Sequence, residues 1–162
     1  MKRFKLTLIL LNLMALLAFV NYSAIQKETI LKDGKLIFLE LIENNAKAPL
    51  IQGDMVRLKY KIVKGLIFDT LYKRGYVVVK LDSNSIAERI RFQQKPNPIN
   101  ENEYLIEYSK AYFSLNIGAE NYYIQQGDAK KYAVAKYGAV KVDANGNSLL
   151  MGLYDDHLKK IE

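Results

Sequence analysis

Hydrophobic and polar positions divide the chain into three regimes. Residues 6–25 carry sixteen apolar side chains and no charge, interrupted only by Thr7, Asn12, Asn21 and Ser23. From residue 36 onward the spacing changes to a period of two, which predicts strands. LIFLELIE (36–43) alternates imperfectly, as a strand buried in part on both faces would. In MVRLKYKIVK (55–64), Val56, Leu58, Tyr60 and Ile62 share one face and Arg57, Lys59 and Lys61 the other, predicting a half-buried strand with a wet, basic back. GYVVVKLD (75–82) is β-branched and predicts a central strand. IAERIRFQ (86–93) sets Ile86, Ile90 and Phe92 against Arg89 and Arg91, and EYLIEYSK (103–110) gathers Tyr104, Ile106 and Tyr108. Between them KPNPIN (95–100) must be a loop, because two prolines cannot both serve a ladder.

The third regime returns to helical spacing. In AKKYAVAKYG, Ala129, Tyr132, Ala133, Lys136 and Tyr137 recur at intervals of three and four. Asp128 is a candidate N-cap and Gly138 a candidate residue just past the C-terminus, so the pattern predicts one helix over 128–137. Asn145-Gly146 then predicts a two-residue type I′ hairpin that sets Val142 beside Leu149 and Val140 beside Met151, all on one face. The fold class expected is α+β, mainly β. An N-terminal transmembrane helix precedes an antiparallel sheet or open barrel with one short helix near the C-terminus.

Twenty helical residues rise about 30 Å, the hydrocarbon thickness of a bilayer. The apolar run is therefore read as a signal-anchor in residues 1–26, followed by an exported β-rich domain in residues 27–162. A cleaved signal peptide is the rival reading. It wants small residues one and three places before the cut, yet cutting after Ala24 puts Tyr22 at minus three and cutting after Ser23 puts Asn21 there. Lys2, Arg3 and Lys5 precede the run, while Lys27 and Glu28 nearly cancel after it. The positive-inside tendency then keeps the N-terminus in the cytoplasm and exports the rest.

The net charge of +7 changes meaning once its positions are known. Three of the 24 basic residues precede the apolar run, leaving 21 against 17 acidic residues in the remainder. That excess is scattered, with no Arg-rich run or nucleic-acid motif, so nucleic acid is not an expected partner. The absence of Cys excludes disulfides, thiolate metal sites and a cysteine nucleophile.

Two corners share one sequence: Gln52-Gly53-Asp54 ahead of a strand pattern and Gln126-Gly127-Asp128 ahead of a helical one. In each, Gly supplies a positive φ and Asp accepts backbone N–H groups, which makes turn formation the first reading. An acid/base pair of Asp54 and Asp128 in an exported enzyme is the alternative.

GDMVRLKY resembles the signature of the GDYXXLXY protein family. Gly53, Asp54, Leu58 and Tyr60 match it, and Met55 stands where the pattern has Tyr. The run YYIQQGDAKKYAVAKYGAVKVDANGNSLLMGL is similar to that family's second block, with Gly127, Asp128, Tyr132, Tyr137 and Gly138 as its counterparts. Gln126 stands there where Glu is expected. The resemblance implies a membrane-anchored bacterial protein of no established activity, often associated with multi-spanning membrane proteins. In a bacterium the charge asymmetry then sets the span in the cytoplasmic (inner) membrane with the C-terminal domain outside.

Other chemistries find few residues. A Gly-Asp strand entry after an anchor is similar to that of bacterial signal peptidases, but the stretch NNAKA just before Pro49 holds no serine, so Lys73 has no hydroxyl to activate. His157 is the sole histidine, in Asp155-Asp156-His157, where adjacent side chains converge poorly on a metal. Asp54, Asp69, Asp82 and Asp128 are carboxylates on paper, most of them expected in turns. Arg57, Lys59, Lys61, Arg89 and Arg91 form a cationic patch for anionic lipid or a solvated strand back. No catalytic residue, metal or cofactor is expected. The expected role is a non-enzymatic, single-pass protein in contact with lipid through its helix, binding or supporting another membrane component, with a multi-spanning protein the candidate partner.

Overall fold

The computed structural model describes residues 2–42, 55–65, 70–111, 114–125 and 128–162. Leu and Ala dominate the apolar run, and no Gly or Pro occurs before residue 34. One uninterrupted helix, α1, accordingly spans Lys2–Asp33. Its 32 residues rise about 48 Å. It is long and apolar enough to cross a membrane, and none of its most apolar window is buried in the rest of the protein. Gly34 ends it. Its N–H donates to Ile30 O at 3.0 Å, and a Cβ there would lie 2.4 Å from that same oxygen.

The chain passes directly into β1 (Lys35–Glu40), and β2 (Met55–Arg57), β3 (Arg74–Leu81), β4 (Ala87–Gln93), β5 (Glu103–Ala111), β6 (Ser114–Asn116), β7 (Asn121–Tyr123), β8 (Tyr137–Val142) and β9 (Ser148–Tyr154) follow. Among the described residues the strand ladders are antiparallel, in sheets ordered β1-β8-β9, β2-β7 and β4-β3-β5-β6, with one isolated parallel bridge between Phe38 and Ile86. Single bonds stitch their margins: Phe38 N–H to Ser85 O at 2.9 Å, and Glu107 N–H to Gly146 O at 2.8 Å. The sheets therefore wrap around a common core without closing into a barrel. That core joins Ile37, Leu39, Val140 and Leu153 from one sheet to Val77, Val79, Ile106 and Tyr108 from another, as the alternation in β5 and the central β-branched run in β3 predict.

Segment 55–64 keeps its facial pattern but not its strand. The ladder ends at Arg57, Tyr60 makes an isolated bridge to Leu41, and Lys61–Val63 is a 3₁₀ turn. Leu58, Tyr60 and Ile62 are nonetheless buried, while Arg57, Lys59 and Lys61 are exposed. In β4 the alternation breaks: Val78 faces Arg91 and Val79 faces Arg89, so Ile90 is the extra residue of a bulge and turns outward, 48% exposed.

The helix expected over 128–137 is not formed. A 3₁₀ helix runs from Asp128 to Val134, closing with Ala135 N–H on Tyr132 O at 3.1 Å, and β8 begins at Tyr137. Gly138 is accordingly a strand residue rather than a helix terminator. The reason is the position of β8 between β1 and β9: its backbone groups satisfy two ladders, which outweighs the modest helical preference of the local sequence.

The hairpin forms with another register. Val142 faces Ser148 and Val140 faces Leu150, and a bulge at Met151 restores Ala139 to Gly152. The turn is a three-residue loop: Gly146 N–H donates to Asp143 O at 3.1 Å, Asp143 N–H to Asn147 O at 3.1 Å, and Gly146 has φ +89°. Asp143 decides this, because its Oδ1 accepts the N–H groups of Asn145 and Asn147 at 2.9 and 2.8 Å. The same loop occurs twice more. Asp82 Oδ1 accepts Asn84 and Ile86 N–H with Ser85 at φ 62°, and Asp155 Oδ1 accepts His157 and Lys159 N–H with Leu158 at φ 58°. Asp82 and Asp155 are thus turn-formers.

Candidate functional site

Tyr60 of the first block, with Leu58 beside it, meets Gly138 of the second in the core. β2 lies against β7, with Met55 opposite Tyr123 and Val56 opposite Tyr122. Beyond the ladder, Leu58 N–H donates to Glu120 O at 2.6 Å and the Tyr60 hydroxyl donates to Ala119 O at 2.5 Å. The loop that offers those carbonyls is itself held by the Glu120 carboxylate, which accepts Ile117 N–H and, at 3.1 Å, Gly118 N–H. Ser148 Oγ donates to Ile117 O and so ties the loop to β9.

The Tyr60 ring lies on Gly138. A Cβ at that glycine would approach the ring to 2.9 Å and the hydroxyl oxygen to 3.0 Å. Burial, and then the nearby Glu120 charge, push the Tyr60 phenol above its ordinary range, so it is a fixed hydrogen-bond donor rather than an acid. Tyr132 stands edge-on to Tyr122, centroids 5.3 Å apart. Burial, then Tyr132, raises Tyr122 to about 12.

Leu58, Tyr60 and Gly138 therefore come together in the core. Tyr132 packs beside them through Tyr122, and Tyr137 begins β8, opposite Glu40 on one side and Tyr154 on the other. Gly53, Asp54, Gly127 and Asp69 lie outside the described residues, and Asp128 is described only as the start of the 3₁₀ helix. The loop residues Ala119 and Glu120 escaped sequence reasoning. Their only local signal is Gly118, at φ +85°, because it is carbonyls rather than distinctive side chains that receive Leu58 and Tyr60.

The basic strand backs are largely spent inside the domain. Lys61 pairs with Glu40 at 2.5 Å and Lys136 joins the same carboxylate at 3.3 Å. Burial raises the Glu40 pKa, but the hydrogen bonds and charges of the two lysines outweigh it and leave it below the usual carboxylate range. Arg89 donates to Ile62 O and Lys64 O at 2.7 and 3.0 Å and lies over Phe92. Arg91 grips Glu103 with two bonds of 2.7 and 2.9 Å. Lys61, Lys136, Arg89 and Arg91 thus tie segments together, while Arg57 and Lys59 stay exposed.

A polar cleft of about 280 Å³ lies between β5–β6 and the β8–β9 hairpin, lined by Arg74, Glu107, Ser109, Asn116, Asn147 and Ser148 among others. Its groups can hydrogen-bond a small polar molecule. Among the described residues no trio of His, Asp or Glu is placed to hold a metal ion. His157 is exposed, 3.6 Å from Asp156.

These elements define a β-rich domain carried on a single long apolar helix, with a tyrosine-centred junction of two sequence blocks at its core. Residues 16–153 match the family described as GDYXXLXY protein, and the chain belongs to that family. No curated protein and no solved structure matches it.

Proposed function

We propose that the protein is a single-pass membrane protein whose N-terminus stays in the cytoplasm and whose exported β-rich domain binds or supports another membrane component, by contact rather than by catalysis. The observation that carries this reading is the join between anchor and domain. Only Gly34 separates α1 from β1, and Ile30 in the last turn of the helix is buried against the domain. Lys141 Nζ donates to Leu31 O across the same join. A tethered enzyme gains from a flexible linker, whereas a rigid join holds a surface at a set height and orientation above the lipid. The apolar run ends at Ile25, and the eight helical residues Gln26–Asp33 lift the domain about 12 Å further. The acidic groups Asp82, Asp143 and Asp155 being spent on turns also favours a binding role.

The test is fractionation and detergent extraction of the full chain, with protease protection for orientation. Retention in alkaline carbonate, protease access to the β domain only from outside the cytoplasmic membrane, and a stoichiometric membrane partner after mild solubilisation are expected. A monodisperse chain with no specific partner would count against the supporting role.

A further inference from the structure

We propose that α1 docks within the bilayer onto a transmembrane helix of a different membrane protein, through the face carrying Asn12, Ala15, Phe19 and Ser23. This deepens the membrane reading above and rests on it. Four polar side chains interrupt the apolar run, and they sort by face. Thr7 and Asn21 are partnered, Asn21 Nδ2 donating to Leu17 O at 2.9 Å. Asn12 and Ser23 make no side-chain hydrogen bond among the described residues. At about 100° per residue, Asn12 and Ser23 lie within about 20° of one another, and Thr7 and Asn21 lie on the far side of the helix. An amide about 5 Å from the midplane of a 30 Å hydrocarbon layer, with no internal acceptor or donor, is satisfied by a polar or backbone group of a neighbouring helix.

The same face points at the β domain. Ile30, the buried residue of the last turn, lies 18 residues beyond Asn12, which is about five whole turns. Every described position of α1 from residue 24 to residue 33 other than Ile30 is exposed. The domain therefore roofs the Asn12 face. This geometry selects the occupant. In a parallel pair of α1 helices joined through Asn12, the axes would stand about 8–10 Å apart, and both domains, each about 35 Å across, would claim the space above the same seam. A second copy does not fit. The occupant is a helix of another protein that ends or turns back in a short connection beneath the roof.

The experiment uses the full chain in its native membrane, with a photo-crosslinking phenylalanine at position 19 on the Asn12 face or at position 17 on the far side. Position 19 is expected to give an adduct with one membrane protein other than the bait, with little from position 17. Asn12→Leu should reduce the adduct about fivefold or more while leaving the thermal unfolding of the β domain unchanged. A bait–bait adduct from position 19, shown with two differently tagged copies, would overturn the proposal. So would equal yields from both positions, indifference to Asn12→Leu, or a membrane-retained chain with no adduct. Release of the unaltered chain by alkaline carbonate would instead overturn the membrane reading, and this inference with it.

Discussion

Tyr60 and Gly138, 78 positions apart in the chain, are in contact through the hydroxyl end of the tyrosine ring, and the absence of a Cβ at Gly138 is what makes room for it. The nearest ring atom would be 2.9 Å from such a Cβ, closer than side-chain packing tolerates. Strand β8 is central in its sheet and cannot withdraw without breaking two ladders. The contact explains why a signature tyrosine in the first block and a glycine in the second belong to one chain.

Gly138→Ala is therefore expected to destabilise the domain by about 1–3 kcal/mol, an overpacking cost. Tyr60→Phe keeps the ring and removes the bond to Ala119 O, leaving a buried carbonyl unpaired at a cost of about 1–3 kcal/mol. Urea unfolding of the domain measures both. A Gly138→Ala protein as stable as the parent would show that Tyr60 can leave its place.

Acid should loosen the tie between β4 and β5, where Arg91 grips Glu103. Arg91, then Asn100, hold the Glu103 carboxyl down to about 2, against an unfolded value near 4.3. A carboxylate with a depressed folded pKa contributes stability that is complete above the unfolded value and lost as pH falls through the folded one. Thermal midpoints are thus expected to drop between about pH 4.3 and pH 2, and Glu103→Gln should flatten that part of the profile while lowering the midpoint at pH 7. An unaltered profile in Glu103→Gln would assign the acid sensitivity to other carboxylates.

The three Asp-led loops place unlike residues at the same left-handed position: Ser85, Gly146 and Leu158. Only glycine adopts it without steric cost. Ser85→Gly is expected to stabilise by up to about 1 kcal/mol. Gly146→Ala should destabilise by more than that, since its Cβ would also lie 2.9 Å from Glu107 N and 3.3 Å from Leu105 Cβ. Asp143→Ala, which removes the carboxylate from two N–H groups, should cost about 1 kcal/mol or more. Chemical denaturation of the three variants side by side decides it; a Ser85→Gly protein less stable than the parent would contradict the strain argument.

Truncation tests the join. Removing residues 1–26 leaves Ile30 in place and should yield a folded, water-soluble domain. Removing residues 1–33 also strips Ile30 from its site and is expected to cost about 1.5–3 kcal/mol of stability relative to the shorter truncation. Equal denaturation midpoints would mean that the last turn of α1 adds nothing to the domain.

Much of the fold was legible wherever one face of a segment is apolar. Ile106 and Tyr108, and Leu58, Tyr60 and Ile62, enter the core as the period of two predicts, and Val77, Val78 and Val79 are all buried, as befits a central β-branched strand. Burial depends on which side a residue faces, and this survives even where the strand itself ends at Arg57. Ile90 failed for a reason invisible locally, because a bulge belongs to a pair of strands and its partner, Val78–Val79, lies in another segment. The 128–137 helix failed likewise. Its three- and four-residue spacing was real, but the competing offer of two ladder neighbours came from residues 35–40 and 148–154.

By itself the sequence determined the long apolar helix, the mainly β body, the inward faces of its strands and the family, since each follows from short-range periodicity or from matched residues. Only the tertiary structure decided the hairpin register, the internal commitment of Lys61, Arg89 and Arg91, and the contact of Tyr60 with Gly138. The physical reason is range. Local patterns tell a side chain which way to face, whereas hydrogen bonds, ion pairs and steric room are settled by whichever distant segment folding brings opposite it.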